Sequence, residues 1–516
     1  MDESVFCYLK SINRAEKTTF FSSIVFGLVT HLHIFSINYI FHDSVDINTL
    51  GVSYTSGRWS LGLLEEAANR FAGVYQLPFI NGFISLLFIA LVAMMFVNAL
   101  EIKSITSAAF VGMISVAFPV VAAQFAFMFT ATAYFFSMLI SVFSVFLFYK
   151  KPNLLTFLLG SVLLCFAMGI YQAYFSLAVS FALVLMLAEG LRSYANLSTL
   201  IRKCFLFLLM LLLGLLLYLA VNNVFLSIKA VELSNYQGLD KMGNIDMTAL
   251  PKAIKQAYKD QISCIWLGVI SSEFERNLTR IISIIGTLLF ANLLRKEFPV
   301  SKKLFLVLLF ILLPLAFNLV YPMSPSTMAG VHALMRFALV FTYILPVVFI
   351  ELLPAEANQT LIRRAISTLM AIMLWLAPIV FCYKDNTAYL NAELVEEQAE
   401  AYYGSLVTRI RSVEGYNDDF PIAYIGFGIT DSTLTKLPTF GNIYTYVLSF
   451  SLQEMVTTDR WQDFCAVHLG WSPKEVDDVY EYAQMSEVLE MPCYPDDGSI
   501  RVINDVVVVK FSQPLK

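Results

Sequence analysis

Charge is what this sequence has least of. Asp, Glu, Lys and Arg make up 14% of its 516 residues, against about 25% in soluble domains. That shortage excludes a disordered chain and an ordinary water-soluble globule. Histidine is scarce as well, with five residues, and the seven cysteines form no CxxC pair. Neither a zinc site nor a dense disulfide framework is therefore indicated. There is no Lys/Arg-rich tract, and the net charge is −5, so no nucleic-acid partner is expected. The phosphate loop GxxxxGK(S/T) is missing, which speaks against ATP-driven transport, and neither GxSxG nor HExxH occurs. Residues 1–17 carry Asp2, Glu3, Lys10, Arg14, Glu16 and Lys17. They do not read as a signal peptide with a small-residue cleavage site. No repeat of 20–50 residues is visible, which excludes a solenoid. No inverted repeat stands out either, which weakens the case for a secondary transporter.

What is present is apolar. Hydrophobic residues make up 58% of the chain, including 44 Phe and 25 Tyr, and the mean hydropathy is +0.69. A helix needs roughly 20 apolar residues to cross hydrocarbon. Such runs lie near 18–40, 79–100, 105–122, 132–149, 154–171, 174–188, 204–225, 279–294, 304–320, 337–353 and 365–383. They predict an α-helical polytopic membrane protein with about 11 crossings. Residues 1–383 carry a net charge of +7, whereas 384–516 carry 9 Lys and Arg against 21 Asp and Glu. The sequence thus divides into a transmembrane body, 1–383, and an acidic C-terminal α/β domain, 384–516. Within that domain 387–411 reads as a helix, and 422–427 and 502–511 as strands. Cys465 and Cys493 both fall there, and the spacing leaves open whether they pair.

Short loops on one side hold Lys103, Lys150, Lys151, Arg192, Arg202, Lys203, Arg295, Lys296, Lys302, Lys303, Arg363 and Arg364. The other side has Arg58, Arg70 and Arg336, apart from the long loop 226–278, where acids nearly balance several Lys. The excess of positive charge predicts a cytosolic N-terminus, with loops 41–78, 226–278 and 321–336 and the C-terminal domain outside, which in a bacterium means the periplasm.

The first of these loops is the richest in chemistry. Asp43 stands close to the end of the first apolar run, where a carboxylate is placed to act as a general base on a hydroxyl, with Asp46 in reserve. Both equally suit a solvated loop or an N-cap. Arg58 offers a fork for a phosphate, and Trp59 suits an interface. Arg58 also suits an interfacial anchor. Residues 60–71 have the pattern of an amphipathic surface helix. Gln124, Tyr171 and Gln172 lie near crossing ends, where they line a cavity or bond a neighbouring helix. His332 and Arg336 follow the proline-rich Tyr321–Pro325 segment, and Arg336 is a second candidate for a phosphate or a simple anchor. His31 and His33 do not share a helix face, so no metal site is expected there. Asp43, Asp46 and Glu65 leave a divalent cation open.

Three stretches carry a resemblance: His42-Asp43…Gly51-Val52-Ser53-Tyr54-Thr55-Ser56-Gly57-Arg58-Trp59, Gly169-Ile170-Tyr171-Gln172-Ala173, and Met491-Pro492-Cys493-Tyr494-Pro495…Gly498-Ser499-Ile500. Together they resemble the phage- and bacterium-encoded O-antigen glucosyltransferases that cause serotype conversion, over essentially the whole chain. Members of that family often carry paired acids where this chain has His42-Asp43, which leaves Asp43 as the match to the acidic catalytic residue. The resemblance implies a glycosyltransferase of GT-C architecture in the bacterial inner membrane. It also implies a polyprenyl-phosphate sugar donor, a lipid-linked O-antigen acceptor and a periplasmic site, with a donor flippase and a donor synthase as companions. The residues alone leave two alternatives: a transporter or flippase for a lipid-linked glycan, and an O-antigen polymerase or ligase.

Overall fold

The computed structural model describes residues 12–38, 48–51, 54–192, 196–234, 248–270, 272–323, 331–353, 361–426 and 461–513. Asp43 and Asp46 lie outside the described residues. The chain forms two compact units. The first holds most of 1–386, and the second holds residues 37–46, 387–441 and 451–516.

The first unit is helical. Its elements are α1 (Arg14–Ser36), α2 (Trp59–Phe71), α3 (Pro78–Ala99), α4 (Ile105–Ala117), α5 (Pro119–Phe125), α6 (Met128–Lys150), α7 (Leu154–Ile170), α8 (Tyr174–Leu191), α9 (Leu197–Lys229), α10 (Leu250–Leu267), α11 (Glu273–Leu293), α12 (Val300–Phe317) and α13 (Phe341–Glu351). Helix α14 (Leu361–Arg411) begins here and ends in the second unit. Among the described residues eight helices are long and apolar enough to cross a membrane, and two apolar stretches, Leu154–Ile170 and Phe337–Glu351, are shorter. This is a polytopic membrane protein.

Local chemistry sets the ends of these helices. Asn153 and Thr156 form a capping box at the start of α7. The run 105–122 is not one straight helix. Phe118 is extended before Pro119, which disfavours helical geometry at the preceding residue, so α4 stops and α5 begins with Pro at its first turn. Hydroxyls bind neighbouring helices where hydrophobic driving force is weak. Thr19 Oγ1 donates to the Ala108 carbonyl at 3.0 Å, Ser137 Oγ to Ala167 at 2.8 Å, and Ser161 Oγ to Met210 at 3.0 Å.

Short connections make successive helices antiparallel. The turns 126–127 and 171–173 and the segment 54–77 therefore share one end of the bundle. The turns 100–104, 151–153 and 294–299 share the other. At the latter end cations cap carbonyls: Arg192 Nη2 donates to Leu100 at 2.6 Å, and Lys296 Nζ to Leu191 and Leu352 at 3.3 Å each.

Two long loops expected from the sequence contain helices. Residues 59–71 form α2, as their pattern suggests. Residues 250–267 form α10 inside what reads as the loop 226–278. Its buried positions are Ala253, Ala257, Asp260, Gln261, Ser263 and Cys264, small or polar side chains that carry no hydrophobic stripe.

The second unit carries a three-stranded sheet of order β1-β3-β2, built from β1 (Ile422–Ile425), β2 (Ile500–Ile503) and β3 (Val506–Lys510). Strand β1 runs parallel to β3, and β2 antiparallel. The expected single strand at 502–511 is in fact the β2–β3 hairpin. Asn504 and Asp505 take φ of 52° and 58°, which a two-residue hairpin turn requires and Asn and Asp tolerate. Ala423, Ile425, Val488, Met491, Ile503, Val506 and Val508 form the core, with helices α15 (Trp461–Leu469), α16 (Val479–Ala483) and α17 (Ser486–Glu490) beside them. Cys465 and Cys493 are free thiols, and burial pushes the Cys465 thiol up to about 12.

Lys510 is fully buried at the end of β3. Its ammonium donates to the carbonyls of Val488, Leu489 and Met491 at 2.9, 2.8 and 2.8 Å, matching three donors to three acceptors. Lys510→Met leaves those carbonyls unpaired and is expected to cost about 2–4 kcal/mol. Hydrogen–deuterium exchange across 500–510 in the full chain should show lost protection. Unchanged exchange would mean that water replaces the ammonium.

Candidate active site

The candidate site begins with a tight bend at Gly57. Its N–H donates to the Tyr54 carbonyl at 2.9 Å, and its φ of +72° is reached without strain only by glycine. A Cβ there would also stand 2.5 Å from the Tyr218 hydroxyl oxygen. Gln172, in the α7–α8 turn, donates from Nε2 to the Ser56 carbonyl at 2.7 Å and to the Tyr218 hydroxyl at 3.0 Å. Tyr218 in turn donates to the Gly57 carbonyl at 3.1 Å. The two motifs Tyr54–Trp59 and Gly169–Ala173, more than a hundred positions apart, are thus locked together through α9.

The bend presents Arg58 to a pair of tyrosines. Its guanidinium carbon lies 5.6 Å from the Tyr134 ring centroid and 5.8 Å from that of Tyr171. The two rings stack with centroids 4.1 Å apart. This is cation–π distance. Arg58 Nε is buried and meets no acceptor, and no carboxylate pairs with Arg58 among the described residues. Trp59 stacks on Phe225 at 5.1 Å. Trp59 and Ser60 press on Gly169, where a Cβ would fall 2.2 Å from Ser60 Oγ. Gln124 donates to Thr130 Oγ1 at 3.3 Å, its own Oε1 buried and unpaired. Thr130 lies one turn before Tyr134 on α6, so Gln124 borders the same region.

Carboxylates fasten the loop around this bend. Glu65 on α2 accepts from Thr49 Oγ1 at 3.0 Å and from the Leu50 N–H at 2.6 Å. Both bonds fall on Oε2, so this carboxylate clamps the loop to α2. Glu66 pairs with Lys229 at 3.2 Å, and the Ser234 N–H donates to the Thr55 carbonyl at 2.8 Å. The described parts of the loop, 48–51 and 54–57, are therefore tied down shortly after Asp43 and Asp46 in the sequence. Among the described residues no group of three His, Cys, Asp or Glu is arranged to hold a metal.

Arg336 belongs to a different arrangement. It is buried, at 3% exposure, and pairs with Asp260, at 6%. Arg336 Nη2 and the Tyr321 hydroxyl both donate to Asp260 Oδ2, and Gln256 Nε2 donates to Oδ1 at 2.7 Å. The sequence offers Arg58 and Arg336 as equals, but among the described residues only Arg336 has a carboxylate partner. His332 is exposed. Trp59, Tyr171 and Gln172 join Arg58, with Gln124 at the border.

Asp260, Tyr134 and Tyr218 were not foreseen as site residues. Asp260 sits in what reads as a charge-balanced loop. Tyr134 and Tyr218 sit inside apolar runs, where only nearness to a run's end offers a hint.

Set against known proteins, residues 32–343 match the family model described as Glucosyl transferase GtrII. That span is more than half of the chain and contains Arg58, Gln172, Asp260 and Arg336. No curated protein matches the chain, and no solved structure does. The chain belongs to the GtrII glucosyltransferase family.

Proposed function

We propose that this member of the GtrII family moves a glucosyl unit from a polyprenyl-phosphate donor to a lipid-linked O-antigen glycan, on the periplasmic side of the bacterial inner membrane. The observation that carries the reading is Arg58: a guanidinium with no carboxylate partner among the described residues, beside two stacked tyrosine rings, at the junction of two distant motifs. A planar fork of donors suits the oxygens of a phosphate. The tyrosine faces suit the apolar face of a sugar as well as the cation.

The mechanism we infer is a single displacement. An acceptor hydroxyl oxygen bonds to the anomeric carbon as the bond to the donor phosphate oxygen breaks. The phosphate leaves with the bonding electron pair, and its charge is met by Arg58. Asp43 takes the hydroxyl proton, and the anomeric configuration inverts. Asp46 is the reserve base. Trp59, Tyr171, Gln172, Gln124 and His332 line the substrate cavity in this reading, and Arg336 is the second candidate for the donor phosphate. The basic end of the bundle is cytosolic in this reading, and the acidic second unit is periplasmic.

The test uses membranes containing the purified protein, radiolabelled polyprenyl-phosphate glucose and a lipid-linked O-antigen acceptor. Label should move to the acceptor with wild type. Asp43→Asn should lower transfer by about 10²–10⁴-fold while the protein still inserts. Turnover like wild type in that variant would reject Asp43 as the base. A wild type that moves the lipid across the membrane without transferring sugar would reject the reaction itself.

A further inference from the structure

Helix α10 divides its charges between two faces. Asp260 turns inward to Arg336. Lys252, Lys255 and Lys259 are exposed, and their spacing of three and four residues places them on one stripe. Ile262 and Trp266 continue that stripe at the same spacing and are 54% and 55% exposed. On the adjoining α11, Phe274 is 55% exposed and Glu275 is buried. Glu275 accepts from the N–H groups of Val269 and Ile270. Arg280 lies 5.1 Å from the Trp266 ring centroid and donates from Nε to the Trp266 carbonyl at 3.0 Å. Of the three acids on these two helices only Glu273 is exposed. On these two helices the sequence's balance of charge therefore conceals a basic stripe, because Asp260 and Glu275 are turned inside.

We propose that this stripe is a docking surface for anionic phospholipid headgroups. The lysines complement a negative phosphate layer, which attracts exposed cations within a Debye length. A soluble polyanion would match the lysines but leave Ile262, Trp266 and Phe274 in water. Those side chains suit the boundary between headgroups and acyl chains, where Trp is enriched. A zwitterionic headgroup would satisfy the apolar half and offer the three ammonium groups no net charge.

The full-length chain in mild detergent is incubated with equal amounts of phosphatidylglycerol and phosphatidylcholine, and native mass spectrometry reads which lipid stays bound. Wild type should retain phosphatidylglycerol in preference. The variant carrying Lys252→Gln, Lys255→Gln and Lys259→Gln should lose that preference by about tenfold. Arginine at the same three positions should keep it. The altered side chains are exposed, and an unchanged thermal midpoint verifies that all forms are folded. Equal retention of the two lipids by wild type, or an undiminished preference in the glutamine variant, overturns the proposal. So does preferential retention of a polyprenyl phosphate over phosphatidylglycerol when both are offered, if the same three substitutions abolish it. The stripe would then serve the donor.

Discussion

Arg58→Gln is expected to lower glucosyl transfer by about 10²–10³-fold, the loss that follows removal of one preorganised group from a developing negative charge. Glutamine keeps a donor and much of the volume but loses the charge and the fork. Stability should be untouched, because Arg58 has no carboxylate to strand among the described residues. Arg58→Lys should recover only part of the rate, since a point charge on a flexible stem cannot reproduce a planar fork between two rings. The measurement is label transfer from the polyprenyl-phosphate donor, with thermal midpoint and membrane insertion followed in parallel. A normal rate in Arg58→Gln would remove Arg58 from the phosphate. A lost rate accompanied by a lowered midpoint would make it a packing residue.

Asp260→Ala should act in the opposite way, on folding before catalysis. It removes the carboxylate paired with a buried guanidinium, and breaking a buried pair from one side costs about 3–5 kcal/mol. Gln256 and Tyr321 would lose their acceptor as well. The double variant Asp260→Leu with Arg336→Met removes both charges and should recover most of the midpoint, since apolar replacements of a buried pair are often neutral or better. The check is thermal unfolding in detergent for Asp260→Ala, Arg336→Met and the double variant. If the double variant is folded yet inactive, Arg336 also takes part in the reaction. If all three unfold alike, the pair is not what holds α10 in place.

Much of the helical body is legible along the chain. Apolar length finds the eight described helices that are long and apolar enough to cross a membrane, and the pattern of residues 60–71 gives away α2. The contents of the site are less so. Arg58, Trp59, Tyr171 and Gln172 draw notice because polar groups at run ends are unusual in such a chain, yet nothing in their spacing joins them. Their meeting depends on Tyr218, which lies in an apolar run on a third helix. Helix α10 escapes notice because its inner face is made of Ala, Ser, Cys, Gln and Asp, so hydrophobic periodicity has nothing to register. The hairpin at 500–510 escapes for a different reason. Four consecutive valines read as one strand, and the turn rests on Asn504-Asp505 rather than on glycine.

The close fit of Gly57 to Tyr218 and of Gly169 to Ser60 has a consequence for how such a chain can diverge. Neither glycine has room for one more carbon while its opposite number keeps its size. A new side chain at 57 or 169 becomes tolerable only after a shrinking change on another helix, and the left-handed bend bars most choices at 57 outright. Neutral drift at these positions is therefore coupled in order as well as identity. A search for altered sugar preference would advance faster through joint libraries at 169 with 59 and 60, whose side chains both crowd that position, than through any single-site scan.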